Sequence, residues 1–95
     1  MLPTDSATPA PAVNLPADRT LLLVDDDKPF LQRLTRAMEA RGFEVTSADS
    51  VAEGLAAVAR NAPAFAVVDM RLGDGNGLDV ISALNAARPD ARLVA

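Results

Sequence analysis

The chain has 95 residues, enough for one domain at most, and a formal net charge of −4. This acidic balance argues against nucleic-acid binding by these residues. The sequence contains no cysteine and no histidine, which excludes disulfides, thiol chemistry, imidazole bases and phosphohistidine, and the lack of cysteine suits a cytoplasmic protein. No apolar run approaches the roughly 20 residues of a membrane-spanning helix, so we expect no membrane association.

Residues 1–18 form a segment rich in proline and alanine that contains four of the seven prolines. This segment has almost no apolar periodicity and therefore predicts a disordered tail. It lacks the basic start and the continuous apolar stretch of a secretory signal. We expect residues 19–95 to form the folded unit, which is near the lower size limit for a stable single core.

The first half of the folded unit alternates between strand and helix patterns. The apolar run at residues 21–24 predicts a buried strand. Asp27 stands where a helix cap is expected, Pro29 suits the first helical turn, and Gly42 suits the end of the helix. Residues 43–47 alternate in polarity and predict a second strand.

The second half continues the same alternation. Ser50 and Glu53 have the spacing of a capping box at the start of a second helix. The remaining predicted elements are a strand at residues 65–68, a glycine-rich loop at 73–77, a helix from Leu78 to about Arg88, and the start of a fourth strand at 92–95.

Strands that alternate with helices predict βαβ units and an α/β fold with a doubly wound parallel sheet. The apolar faces of the three helices need no functional explanation and are predicted to pack in the core. The residues expected there are Phe30, Leu34, Leu55, Val58 and Ile81.

Carboxylates follow two of the predicted strands at the point where each strand ends. Asp25 and Asp26 follow the first strand, and Asp69 follows the strand at residues 65–68. Ligands of open parallel sheets bind outside the carboxyl ends of the strands, so these side chains converge if the two strands are neighbours. Two carboxylates about 4 Å apart repel by roughly 1 kcal/mol in water and by about four times that near a protein surface. The cluster therefore calls for a cation, and Mg²⁺ suits an all-oxygen site.

Each acidic motif also has a structural interpretation. A lone acidic triplet such as residues 25–27 is more often a solvated turn with a helix cap, and Asp69 taken alone is more often a loop aspartate. The position of both motifs directly after buried strands favours a binding site. Asp27 keeps its structural interpretation, because it stands where the helix cap is expected.

At these motifs the chain resembles the receiver domain of bacterial two-component response regulators, from about Thr20 to the end. Leu-Leu-Val-Asp-Asp-Asp is similar to the first strand of that family with its acidic pair. Val-Val-Asp-Met-Arg-Leu-Gly-Asp-Gly-Asn-Gly, which contains Asp69, is similar to the phosphoacceptor strand and the loop after it. Within the family, Arg-Leu-Gly-Asp-Gly-Asn-Gly-Leu resembles the redox-responsive regulators of the RegA/PrrA/ActR type.

The resemblance implies a flavodoxin-like fold and a Mg²⁺-dependent phosphorelay. Asp69 would accept a phosphoryl group from a sensor histidine kinase. Asp25, Asp26 and Asp69 would hold Mg²⁺ together with the backbone carbonyl of Arg71. The chain would then be a cytoplasmic regulatory domain, not an enzyme, that can form a homodimer when it is phosphorylated. It would control transcription through a DNA-binding effector domain that these residues do not encode.

Two features depart from the family pattern. Many receivers carry proline four residues after the phosphoacceptor, where this chain has Gly73. Receivers also have five strands, with a switch Ser or Thr after the fourth and a switch Lys after the fifth. The chain is expected to contain only β1-α1-β2-α2-β3-α3 and the start of β4, so both switch residues are absent. The one lysine, Lys28, follows the first strand and does not match that role.

Two alternative functions remain open from the sequence. One is a receiver-like interaction or dimerisation module that is not phosphorylated. The other is a phosphohydrolase that forms an aspartyl phosphate, although such enzymes normally carry a second aspartate where this chain has Arg71. Labelling with a small-molecule phosphodonor in the presence of Mg²⁺ separates the interaction module from the phosphoacceptor.

Overall fold

The computed structural model describes residues 18–94. Most of the predicted tail, residues 1–17, and Ala95 lie outside the described residues. Strands and helices alternate in the order Thr20–Val24 (β1), Lys28–Ala40 (α1), Glu44–Ala48 (β2), Val51–Arg60 (α2), Phe65–Val68 (β3), Leu78–Ala87 (α3) and Arg92–Val94 (β4). A small hairpin of Arg71–Leu72 and Gly75–Asn76 lies between β3 and α3.

The four strands form one parallel sheet in the order β2-β1-β3-β4. β1 lies inside the sheet, between β2 and β3, and its residues 21–24 are all buried. This explains why β1 is a continuous apolar run, since a strand of a parallel sheet is covered on both faces. The predicted parallel α/β fold is confirmed.

Side-chain caps fix the starts of the first two helices. The Asp27 carboxylate accepts a hydrogen bond from the Phe30 N–H at 3.1 Å, as predicted for the cap of α1. At α2 the Ser50 hydroxyl accepts from the Glu53 N–H at 3.1 Å. The Glu53 carboxylate accepts in return from the N–H of Asp49, at 3.0 Å, so the capping box reaches one residue further back than its usual form.

Gly42 ends the first helical segment, as the sequence predicted. Its φ of 96° lies in the region that favours glycine, and its N–H donates to the carbonyl of Glu39 at 3.0 Å. The second strand then begins at Glu44, one residue later than expected.

The sheet carries an apolar core on each face. One core joins the sheet to α2 and α3, and the other joins it to α1. The buried members of the first are Leu22, Val24, Ala48, Val51, Ala57, Val58, Ala66, Val68, Leu72, Val80 and Leu84. The buried members of the second are Leu21, Leu23 and Leu31, with Leu34, Met38, Phe43, Val45, Phe65 and Val67 packed against them.

The core prediction is wrong for two of the five residues. Val58 is buried, and Leu34 and Ile81 pack against the core, but Phe30 is 41% exposed and Leu55 is 36% exposed. In α2 it is Gly54 that faces α3, where an added Cβ would lie 2.9 Å from a methyl carbon of Val80. The close approach at Gly54 leaves Leu55 at the edge of the buried face.

Phe30 is exposed because it borders an open hollow beside α1. The hollow has a volume of about 310 Å³ and reaches from the apolar face of the sheet to the strand ends. Its lining consists of Leu23, Val24, Asp25, Phe30, Leu31, Leu34, Val67, Val68 and Asp69. The core on the α1 face is therefore partly open to solvent.

The hairpin after β3 replaces the loop that the sequence predicted. Gly75 has a positive φ of 154°, as expected for a turn glycine. Gly77 is required for a different reason, because its φ is −57° and a Cβ there would collide with the backbone carbonyl oxygen of Asp69. The Gly77 N–H donates to the carbonyl of Met70 at 3.2 Å. The start of α3 is thus packed directly against the end of β3.

An ion pair stabilises the end of the sheet opposite to the carboxyl ends of the strands. Arg88, at the end of α3, pairs with Asp18 at 2.7 Å and donates to the Ala62 carbonyl at 3.1 Å. Asp18 also accepts hydrogen bonds from the Thr20 hydroxyl at 2.6 Å and from the Thr20 N–H at 3.1 Å. These bonds to Thr20, and then Arg88, lower the pKa of Asp18 from 3.8 to about 2.

Within residues 18–94, no helix has the length and the apolar character that crossing a membrane requires.

The pKa of Asp18 predicts a pH-dependent contribution to stability. Because its folded-state pKa is lowered, the contribution is complete above the unfolded value of 3.8 and is lost as the pH falls towards about 2. We expect the difference in unfolding free energy between the parent and Asp18→Asn to be constant at neutral pH and to shrink in that acidic range. Urea unfolding followed by circular dichroism at several pH values measures it, and a difference independent of pH would contradict the prediction.

The packing at Gly77 predicts that Gly77→Ala is destabilising. The new methyl group would meet the Asp69 carbonyl oxygen and a Val68 methyl carbon at 2.8 Å, and such overpacking costs about 1–3 kcal/mol. Gly73→Ala is the matched control, since no atom lies within 4 Å of the added Cβ. Urea unfolding should show a clear decrease in the free energy of unfolding for Gly77→Ala and none for Gly73→Ala. Equal stability of the two variants would show that α3 moves freely away from β3.

Candidate functional site

The site forms where β1 and β3 end side by side. Val24 of β1 is the register partner of Val68 of β3. The Asp69 N–H donates to the Val24 carbonyl at 2.8 Å, and the Asp25 N–H donates to the Ala48 carbonyl at 3.1 Å. The parallel ladder therefore extends one residue past the strands and holds the backbones of Asp25 and Asp69 next to each other.

Three carboxylates meet at this point. Asp25, Asp26 and Asp69 each offer one oxygen atom, and these oxygens lie within 4.8 Å of one another. Asp25 and Asp69 are partly buried, and Asp26 is exposed. Lys28 is close in sequence, but its amine pairs with Asp49 at 3.4 Å. The convergence predicted from the sequence is confirmed by this geometry.

The donor set fits a hard divalent cation. Three carboxylates supply only oxygen atoms, the exposed side of the site leaves room for water, and such an arrangement suits Mg²⁺. At such separations each pair of carboxylates repels by on the order of 1–4 kcal/mol. The attraction of all three carboxylates to a divalent cation would outweigh this repulsion.

Backbone N–H groups fix the orientation of two of the carboxylates. The Asp25 Oδ1 atom accepts a hydrogen bond from the Asp27 N–H at 2.9 Å. The Asp69 Oδ1 atom accepts one from the Arg71 N–H at 3.0 Å. The side chain of Arg71 is exposed. The structure thus joins the Arg71 backbone to Asp69 through its amide, while a metal-binding role for the Arg71 carbonyl stays a prediction.

The side chain of Asp27 caps α1 and is not one of the three clustered carboxylates. Its carboxylate accepts a hydrogen bond from the Phe30 N–H at the start of α1. The structural interpretation of Asp27 as a helix cap is confirmed, and Asp25 and Asp26 are the neighbouring aspartates that contribute to the cluster.

Sequence reasoning missed Asp74, which lies five residues after Asp69. Its carboxylate crosses from the hairpin to α2 and accepts hydrogen bonds from the N–H groups of Val51 and Ala52, at 2.8 and 3.1 Å. These bonds, that of Val51 first, hold the pKa of the Asp74 carboxyl below its ordinary value of 3.8. An aspartate between two glycines signals a turn, but its partners lie more than 20 residues earlier, where the sequence pattern gives no sign of them.

The chain matches a known family over most of its length. The sequence model of the response regulator receiver domain matches residues 21–95. The chain is 62% identical over 80 residues to the photosynthetic apparatus regulatory protein RegA of Cereibacter sphaeroides, which covers 84% of this chain and 44% of RegA. It is 51% identical over 96 residues to the acid tolerance regulatory protein ActR of Sinorhizobium medicae, which covers 95% of this chain and 50% of ActR.

A solved structure shows the same architecture. A response regulator protein from Burkholderia pseudomallei, with a phosphorylated aspartic acid, a calcium ion and citrate, aligns with a TM-score of 0.75 and 36% identity. The alignment covers 80% of this chain and 45% of that protein. The chain spans about half the length of the curated relatives it matches.

The family and the RegA/ActR type predicted from the sequence are confirmed by these similarities. The fold is that of a receiver domain, which is in general a regulatory domain of two-component systems. The chain therefore belongs to the response regulator receiver domain family, with regulators of the RegA and ActR type among its relatives.

Proposed function

We propose that Asp69 is the phosphoacceptor of this receiver domain and that Asp25, Asp26 and Asp69 bind Mg²⁺ with the backbone carbonyl of Arg71. The observation that supports this most is the carboxylate cluster, with one oxygen of each aspartate within 4.8 Å of the others. Asp69 is the member that follows a different strand from the acidic pair, and its carboxylate accepts a hydrogen bond from the Arg71 N–H in the hairpin that comes next.

The chemistry of phosphoryl transfer suits this arrangement. A carboxylate oxygen of Asp69 attacks the phosphorus, the bond from phosphorus to the donor breaks, and the donor leaves with the bonding electrons. Both reactants are anionic, and bound Mg²⁺ supplies the neutralising charge. The chain's own contribution is position, since the Arg71 N–H fixes the rotation of the Asp69 carboxylate and the strand ladder fixes its backbone.

The donor in this proposal is a sensor histidine kinase, as is general for receiver domains of two-component regulators. Residues 19–95 act as the receiver portion, and the phosphotransfer reaction modifies only the domain itself. Because the relatives are about twice as long as this chain, control of transcription, DNA binding through an effector domain and homodimer formation on phosphorylation are assigned to the complete protein. A cytoplasmic location follows from this proposed role.

Asp69→Asn is predicted to abolish phosphorylation. The variant keeps the shape of the side chain but loses the nucleophilic carboxylate, so incorporation of phosphate from labelled acetyl phosphate in Mg²⁺ should fall to background. Asp90→Asn is the control, because Asp90 is exposed after α3, near Arg88 and away from the carboxylate cluster. Equal labelling of the parent and Asp69→Asn would contradict the assignment, and no labelling of the parent would favour an interaction module.

Asp26→Ala and Asp27→Ala are predicted to act differently on Mg²⁺ binding. Removal of Asp26 should weaken Mg²⁺ binding, and relief of carboxylate repulsion should leave the metal-free stability unchanged or raised. Removal of Asp27 should cost about 1 kcal/mol of stability as a lost helix cap and leave Mg²⁺ binding intact. Calorimetric titration with Mg²⁺ and urea unfolding measure the two effects. The opposite pattern would place the acidic pair one residue further along.

A further inference from the structure

Asp74 forms a bridge between the hairpin after the phosphoacceptor strand and the start of α2. Its Oδ1 atom accepts from the Val51 N–H at 2.8 Å, and its Oδ2 atom accepts from the Ala52 N–H at 3.1 Å. These are the first two residues of α2. Both oxygens of one carboxylate are thus used by a helix that lies more than 20 residues earlier in the chain.

The bridge has a favourable electrostatic setting. The first N–H groups of a helix lack partners within the helix, and the positive end of the helix dipole lies at this position. Ser50 satisfies the N–H of Glu53, so Asp74 supplies the acceptors that the preceding two N–H groups need. The lowered pKa of Asp74 agrees with a carboxylate that is ionised while it makes these bonds.

The bridge holds the tip of the hairpin against the start of α2. Asp74 lies at the tip, flanked by Gly73 and Gly75, so its neighbours contribute no side chains to hold the tip in place. An added Cβ at Gly75 would lie 3.5 Å from a methyl carbon of Val51, which places the tip directly against the first residue of α2. Leu72 anchors the other side of the hairpin in the core.

The same hairpin carries the backbone that touches Asp69. Arg71 pairs with Asn76 across the hairpin, and the Arg71 N–H donates to the Asp69 Oδ1 atom at 3.0 Å. A short segment is therefore tied at one end to α2 through Asp74 and presents, at the other end, an amide to the phosphoacceptor. Movement of the tip would be transmitted to Arg71 through only two residue pairs of antiparallel strand.

We propose that Asp74 is a positioning residue for the acidic site: by fixing the hairpin to the N-terminus of α2, it holds the Arg71 backbone in the place that orients Asp69 and completes the Mg²⁺ site. The inference rests on the proposed function for its metal-binding part. Its structural part, the control of the Arg71 amide by Asp74, is independent of any bound metal.

The test compares three variants of the full chain by amide hydrogen exchange and by Mg²⁺ titration. Asp74→Ala removes both acceptors. Asp74→Asn keeps one acceptor oxygen and serves as the milder variant if Asp74→Ala does not fold. Ser50→Ala is the matched control, because it removes a cap from the same helix without touching the hairpin.

In the metal-free chain, Asp74→Ala should speed exchange of the Arg71 amide by about tenfold relative to Ser50→Ala. In the titration, the Mg²⁺ dissociation constant of Asp74→Ala should rise by about tenfold, since loss of a contact that supports a metal ligand typically weakens binding by at least this much. The dissociation constant of Ser50→Ala should stay within about twofold of that of the parent. For Asp74→Asn, both the exchange rate of the Arg71 amide and the Mg²⁺ dissociation constant should lie between the values of the parent and of Asp74→Ala.

Two results would overturn the inference. One is an Arg71 amide that exchanges equally fast in the parent and in Asp74→Ala. The other is an equal loss of Mg²⁺ affinity in Asp74→Ala and Ser50→Ala, since this would reduce Asp74 to a helix cap. If the parent does not bind Mg²⁺, it is the proposed metal site that fails, and the Arg71 exchange rates alone decide the positioning role.

Discussion

The parallel pairing of β1 with β3 is the constraint on which the rest of the structure depends. Its register sets Val24 beside Val68, so the residues that follow, Asp25 and Asp69, leave the sheet at the same height. A shift of one residue along β1 would move the hydroxyl of Thr20 or the carboxylate of Asp25 into a position where Leu21 or Val24 is now buried. The burial of residues 21–24 therefore specifies the register, and the register brings together carboxylates that repel each other.

The sequence was sufficient for the elements and for the acidic cluster because local signals were strong there. Continuous apolar runs marked β1 and β3, and Asp27 and Ser50 were recognisable as caps. The predicted ends of the elements differ from the observed ends by about one residue, as at β2, which was predicted at 43–47 and is found at Glu44–Ala48. Convergence of the carboxylates could be predicted because ligands of parallel sheets share one edge.

Features that depend on distant contacts could not be read from the sequence. Leu55 has the spacing of a core residue, but the close approach of α2 and α3 at Gly54 turns it to the edge of the packed face. Gly77 looked like a turn glycine, yet it is needed because the Asp69 backbone lies where a Cβ would be. Asp74 finds its partners on α2, far away along the chain. In each case the deciding atom belongs to another element, so neither periodicity nor turn propensity contains the information.

The hollow beside α1 shares two of its lining residues, Asp25 and Asp69, with the carboxylate cluster. Water that enters the hollow would screen the charges on these residues. Apolar side chains packed into the same space would lower the local dielectric constant and strengthen several-fold both the repulsion among the carboxylates and their attraction to a cation. Hydrophobic packing on the α1 face and charge neutralisation at the strand ends are therefore thermodynamically coupled. The affinity of the proposed metal site thus depends on how much water enters the hollow beside α1.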